Sequence, residues 1–121
     1  DVHSPLFNPA STCGTCHTDV DYVVGRVEEI QGQVWQTMSA SEDAIVAAIN
    51  AISTAAASDG VDADKLAEAR LLHRSAQLRW DFIAAENSMG FHNPEEALRI
   101  LATSIDLARQ AQITAMEAMG K

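Results

Sequence analysis

The sequence predicts an all-α fold, a long antiparallel helical hairpin or bundle of three to four helices with an extended N-terminal segment. Three observations predict it. Aromatic residues make up only 5% of the chain while alanine is abundant, and the three prolines all lie in the first 94 residues. Three long runs carry apolar residues at helical spacing. Strong stop and start signals separate those runs. A length of 121 residues fits one domain, 1–121, with a modest core.

Residues 1–17 open with DVHSPLFNPAST, two prolines and no periodicity, and read as an extended lead-in. A helix over 18–57 follows from Val20, Val23, Val24, Val27, Ile30, Val34, Trp35 and Met38, resumed in phase at Ile45, Ile49 and Ile52. Ser39 to Glu42 has the spacing of a capping box, so a break near residue 40 would make four helices of three. Ser58-Asp59-Gly60 stops the first helix. A second helix over 62–89 carries Leu66, Leu72, Ala76, Trp80 and Ile83. Gly90-Phe91-His92 interrupts it, and Asn93-Pro94-Glu95-Glu96 starts a third over 94–119, with Leu98, Leu101, Ile105, Ala108, Ile113, Met116 and Met119.

The formal net charge of -9, from 17 acidic and 8 basic residues, repels a phosphate backbone and argues against nucleic acid. It favours a basic redox partner protein, steered in by charge. No apolar run approaches the ~20 residues that span a bilayer. The chain opens at Asp1 without a signal peptide, the expectation for a processed terminus.

The chemistry concentrates in CGTCH, residues 13–17, which holds the only two cysteines. A C-x-x-C pair suits a redox dithiol, half a zinc site or haem attachment. The redox reading wants a βαβ setting, and strand signals are scarce. The zinc reading wants a second ligand pair, whereas His3, His73 and His92 are scattered. The haem reading wants a histidine directly after the second cysteine, and His17 stands there. Cys13 and Cys16 then bond two vinyl groups of one porphyrin and His17 is the proximal iron ligand. One covalent haem c implies a periplasmic or extracellular protein.

For the sixth iron position the candidates are His92 first, with His3 and Met89 as alternatives. An unbroken first helix of 18–57 would be ~60 Å long. A second helix running straight back then sets His73 level with about residue 45, and His92 level with about residue 26 or nearer the haem. His73 therefore reads as a packing or surface histidine, and Met38, Met116 and Met119 as core filler. A filled sixth position suits electron transfer; an open one suits a haem enzyme or gas sensor. The apolar stripes exceed the needs of three helices and predict a homodimer through the long helices.

SPLFNPASTCGTCH, RVEEIQ and HRSAQLRWDFIAAENSMGFHNPEEALRILATSIDLA, from Ser4 to Ala108, together resemble the C-terminal region of the ammonia-forming cytochrome c nitrite reductases, a periplasmic pentahaem family. The resemblance implies that this region holds the last haem and the long helices of the dimer interface. It carries the haem cysteines and proximal histidine onto Cys13, Cys16 and His17, and the late Gly-Phe-His histidine onto His92. In that family the late histidine serves the neighbouring haem. The family's lysine-ligated C-x-x-C-K motif has no counterpart here, and its substrate-side residues and calcium site lie upstream of the matched region. The resemblance therefore implies an electron carrier, or a subunit docking on a multihaem reductase, and not nitrite reduction by this chain alone.

Overall fold

The computed structural model describes residues 3–120. A short helix α1 (Pro9–Thr12) is followed by three long ones: α2 (Val20–Ala56), α3 (Ala63–Ala85) and α4 (Pro94–Ala118). They run up, down and up, and among the described residues there is no strand.

Each long helix starts where a polar side chain closes its first turn. Asp19 accepts from the Tyr22 amide at 2.9 Å, Asp62 from the amides of Asp64 and Lys65, and Asn93 from the Glu96 amide at 3.2 Å. Pro94 follows Asn93 at the first helical position, where a missing N–H costs nothing. The turn after α2 passes through Gly60 at φ +69°. The Asp62 amide then bonds the Ala118 carbonyl at 2.9 Å, which pins the start of α3 to the end of α4.

The helices pack along a seam of seven-residue repeats. Val34, Met38, Ser41, Ile45, Ala48 and Ala55 of α2 are buried, as are Leu66, Ala69, Ala76 and Ile83 of α3. In α4 the series Ala97, Leu101, Ser104, Ala108, Ala111, Ala115 and Ala118 keeps a strict 3–4 alternation, the pattern of coiled-coil packing. Alanine fills most of the seam, so the backbones approach closely and little space is left for side chains. Midway, the Ser104 hydroxyl donates to the Ala76 carbonyl at 2.8 Å, so Ser41, 2.8 Å away, donates to Ser104. That chain satisfies both buried hydroxyls and ties all three helices together.

Three expectations change. The first helix does not break near residue 40, because Met38, Ser41, Ala44 and Ile45 are all buried against the other helices and hold it through the capping-box sequence. The second helix ends at Ala85, not 89, because Glu86 turns to an extended backbone at ψ 122°. The lead-in is wound into turns: a 3-10 turn at Pro5–Phe7, then α1, then a 3-10 turn at Cys13–Thr15. Pro5 and Pro9 supply the helical φ for these turns, and Thr12 bonds back to the Pro5 and Asn8 carbonyls at 2.9 Å. The segment still lies outside the bundle, and none of its described residues is buried.

The lengths are unequal. Trp80 Nε1 donates to the Met38 carbonyl, so the end of α3 lies beside the middle of α2. The first turns of α2, from Val20 to about Ile30, run past the end of α3 and carry the N-terminal segment. Val27 is the one buried residue of that overhang.

Candidate functional site

CGTCH forms one helical turn. The amides of Cys16 and His17 both bond the Cys13 carbonyl, at 3.2 and 2.9 Å. Residues i, i+3 and i+4 of such a turn share a side. The two thiols and the imidazole of His17 are therefore gathered on one side of one turn. Both cysteines are free, Cys13 partly covered and Cys16 exposed, and His17 is exposed. Gly14 rests on Val20, where an added Cβ would lie 3.2 Å from Cγ2 of that valine, so the turn sits directly on the start of α2.

This arrangement fits a covalently held haem. Two accessible thiols three residues apart could each bond one vinyl group, and the next imidazole could ligate the iron. An open hollow of about 640 Å³ lies beside the turn, lined by His3, Ser4, Pro5, Phe7, Asn8 and Thr12. Phe7 is 81% exposed there and offers an apolar face. His3 stands in the same hollow, with its ring edge-on to Phe7 at 6.3 Å. Among the described residues no three His, Cys, Asp or Glu side chains gather as a bare metal ion would require.

His92 lies elsewhere. Residues 86–93 form a compact loop folded against α2: Gln31 donates to the Ser88 carbonyl at 3.0 Å, and Gly90 rests on Val34. A Cβ on Gly90 would fall 2.5 Å from Cγ2 of Val34, and φ is +82°, so only glycine fits. His92 is thus beside residues 31–34, at least about 17 Å beyond Val20 along the helix. The level of residue 26 expected from sequence supposed that the second helix ran on; it stops at Ala85 and the chain doubles back. The His92 side chain is 76% exposed.

Met89 packs with the cluster of Val34, Met38, Ile83, Ala97 and Leu101 at φ +57°, a strained setting for a residue with a side chain. His73 falls in the α3 seam between Ala69 and Ala76, half-buried, with Nε2 enclosed and unpartnered. Sequence reasoning missed Glu86. Burial works against its ionisation, but the Ser88 hydroxyl, the amides of Gly90 and Ser88, and His92 outweigh that and hold its pKa down at about 2. The available signal was a carboxylate six residues before the histidine, with the turn formers Ser88 and Gly90 between them.

With this geometry in view, the similarities become specific. The cytochrome c552 family model matches residues 1–121. The chain belongs to the cytochrome c552 family. It is 37% identical to "Cytochrome c nitrite reductase subunit NrfA" of Nitratidesulfovibrio vulgaris, over 95% of this chain and 23% of that protein. It is 31% identical to "Cytochrome c-552" of Bacteroides thetaiotaomicron, over 99% of this chain and 24% of that one. The solved cytochrome c nitrite reductase of Desulfovibrio desulfuricans superposes with a TM-score of 0.89 at 36% identity, over 97% of this chain and 26% of that one. This cytochrome c552-family chain therefore spans about a quarter of the length of these relatives. The family makes it a c-type cytochrome with covalently bound haem c, and the likeness to the C-terminal region of the nitrite reductases holds throughout the chain. Among the described residues no helix is long and apolar enough to cross a membrane.

Proposed function

We propose that this chain is a monohaem electron-transfer module that works outside the cytoplasm, in the periplasm or beyond it. The observation that carries the reading is the single turn that gathers two free thiols and the His17 imidazole on one side. Haem c supplies a one-electron iron couple. Cys13 and Cys16 would hold it by thioether bonds, and His17 would ligate its iron. The turn projects from the bundle, so a redox partner can approach closely, and the charge of -9 draws a basic one. Thioether attachment belongs to compartments outside the cytoplasm, which supports the location.

In this reading His92 serves a second iron. Two ligands of one iron approach within a few ångströms, whereas the His92 loop is seated beside Gln31 and Val34, far up α2 from His17. The resemblance points the same way, since the family's late histidine serves a neighbouring haem. His92 is offered to a haem that Cys13 and Cys16 do not hold. His3, beside the attachment turn, is the nearer candidate for the sixth position of the chain's own haem.

The outer face of α3 supports a homodimer. Leu71, Leu78 and Phe82 are 64%, 67% and 62% exposed along one stripe. Arg70 and Arg74 flank one end and Asp81 the other, so α3 laid antiparallel on its own copy sets Arg70 against Asp81.

Expression with c-type maturation tests the core of the reading. The wild type should retain haem through acid extraction, and the Cys13→Ser, Cys16→Ser double variant should lose it. A wild type that releases its haem contradicts the reading. Sedimentation at micromolar concentration should give a dimer, and Leu78→Glu a monomer; a monomeric wild type removes the dimer from the account.

A further inference from the structure

We propose that Glu86 is a positioning residue for His92: the charge of its carboxylate beside Nδ1 keeps the imidazole proton on that nitrogen and leaves Nε2 bare, set for iron. The inference rests on the reading of His92 as an iron ligand. Glu86 is the first residue beyond α3, and three donors fix its carboxylate. These are the Ser88 amide at 2.8 Å, the Ser88 hydroxyl at 2.8 Å and the Gly90 amide at 3.0 Å. The Oε1 atom then lies 3.4 Å from His92 Nδ1. The base of the histidine is held in the same loop, since its amide donates to the Ser88 hydroxyl at 3.1 Å.

The pair is asymmetric. The carboxylate side chain is 30% exposed and the imidazole 76%. Nδ1 therefore faces an anion on the loop side, and most of the ring is open to solvent. Beside the pair, Phe82, Ile83, Ala97 and Ile100 line an apolar hollow of about 160 Å³. Glu96 also borders it, but it is paired with Arg99, whose Nε donates to it at 2.7 Å. Neither residue of that second pair competes for the imidazole. Metal-binding histidines commonly donate their other N–H to a carboxylate, which fixes tautomer and ring orientation and raises ligand basicity. A carboxylate that only shaped the loop would need its three loop donors and not the contact with Nδ1.

The test uses the haem-loaded chain with ¹⁵N-labelled histidine, as its diamagnetic ferrous carbonyl form, and added ferric protohaem as the probe for Nε2. In the wild type, neutral His92 should be the Nδ1–H tautomer. Glu86→Gln should shift it to Nε2–H and weaken protohaem binding about tenfold. Ser88→Ala, which removes two loop bonds, the hydroxyl's to Glu86 and the His92 amide's to the hydroxyl, and leaves the carboxylate, should keep the tautomer. An Nε2–H tautomer in the wild type, or an unchanged tautomer in Glu86→Gln, overturns the proposal. An equal effect from Ser88→Ala also overturns it, because loop shape alone would then explain the result. Protohaem binding that His92→Ala does not weaken would instead overturn the reading of His92 as a ligand, and the role of Glu86 with it.

Discussion

The two ends of α2 differ sharply. From Val34 to Ala55 its inner face is closed by α3 and α4, and seam residues such as Val34, Ala44 and Ala48 are fully buried. From Val20 to Ile30 it runs past α3, and only Val27 is buried. The first region is held by the chain's own packing. The second carries the attachment turn, with Phe7 and Tyr22 left 81% and 65% exposed. In the proposed reading stability and chemistry are thus separated along one helix: the bundle is the support, and the overhang would present the turn to a large apolar group.

Substitutions can break that division. The largest expected effect is in the bundle. Leu101 is fully buried where all three helices meet, so Leu101→Ala should cost about 2–5 kcal/mol. Urea unfolding of the haem-loaded protein measures it, and haem content of the folded fraction should not change. A loss of only a few tenths would mean that the bundle is not the support. Next is Gly90→Ala, which forces a Cβ into Val34 at φ +82° and should cost about 1–3 kcal/mol. It should also displace His92, seen as a changed ¹⁵N signal from that histidine alone.

The third effect is one of pH. Glu86 titrates at about 2 in the folded chain against an ordinary 4.5, so the folded state favours the anion. That contribution is complete above about 4.5 and is lost as the pH falls towards 2. The protection of amides 86–93 against hydrogen exchange, corrected for the intrinsic pH dependence, should fall over that window in the wild type and change far less in Glu86→Gln. The smallest effect sharpens the comparison from the other side. Cys16→Ser in the haem-free chain should leave urea stability within about 0.5 kcal/mol, because the attachment turn buries nothing. A larger loss would place the turn inside the cooperative unit.

Much of this was legible in the sequence, and the reasons differ by region. Helix starts are local events, so Asn93-Pro94 and the Asp62 start could be read directly. CGTCH stood out because haem attachment would demand that spacing whatever surrounds it. The seam was only half legible. Large apolar residues drew attention to Trp35, Ile49, Ile113 and Met116, yet these are 57%, 40%, 57% and 42% exposed. Alanine and serine hold the contacts, and their small side chains give little hydropathy signal. The level of His92 was misjudged because a helical ruler cannot foresee where a helix stops. Glu86 ends α3, and its carboxylate organises the loop only through bonds to Ser88 and Gly90 that exist after folding.

The central claim is that His17 and His92 face different irons. The most direct test is the low-temperature electron paramagnetic resonance spectrum of the haem-loaded chain, oxidised, beside its His92→Ala variant. The account predicts one haem per chain and the same spectrum in both proteins. A low-spin signal that turns high-spin in His92→Ala would put both histidines on one iron and contradict it.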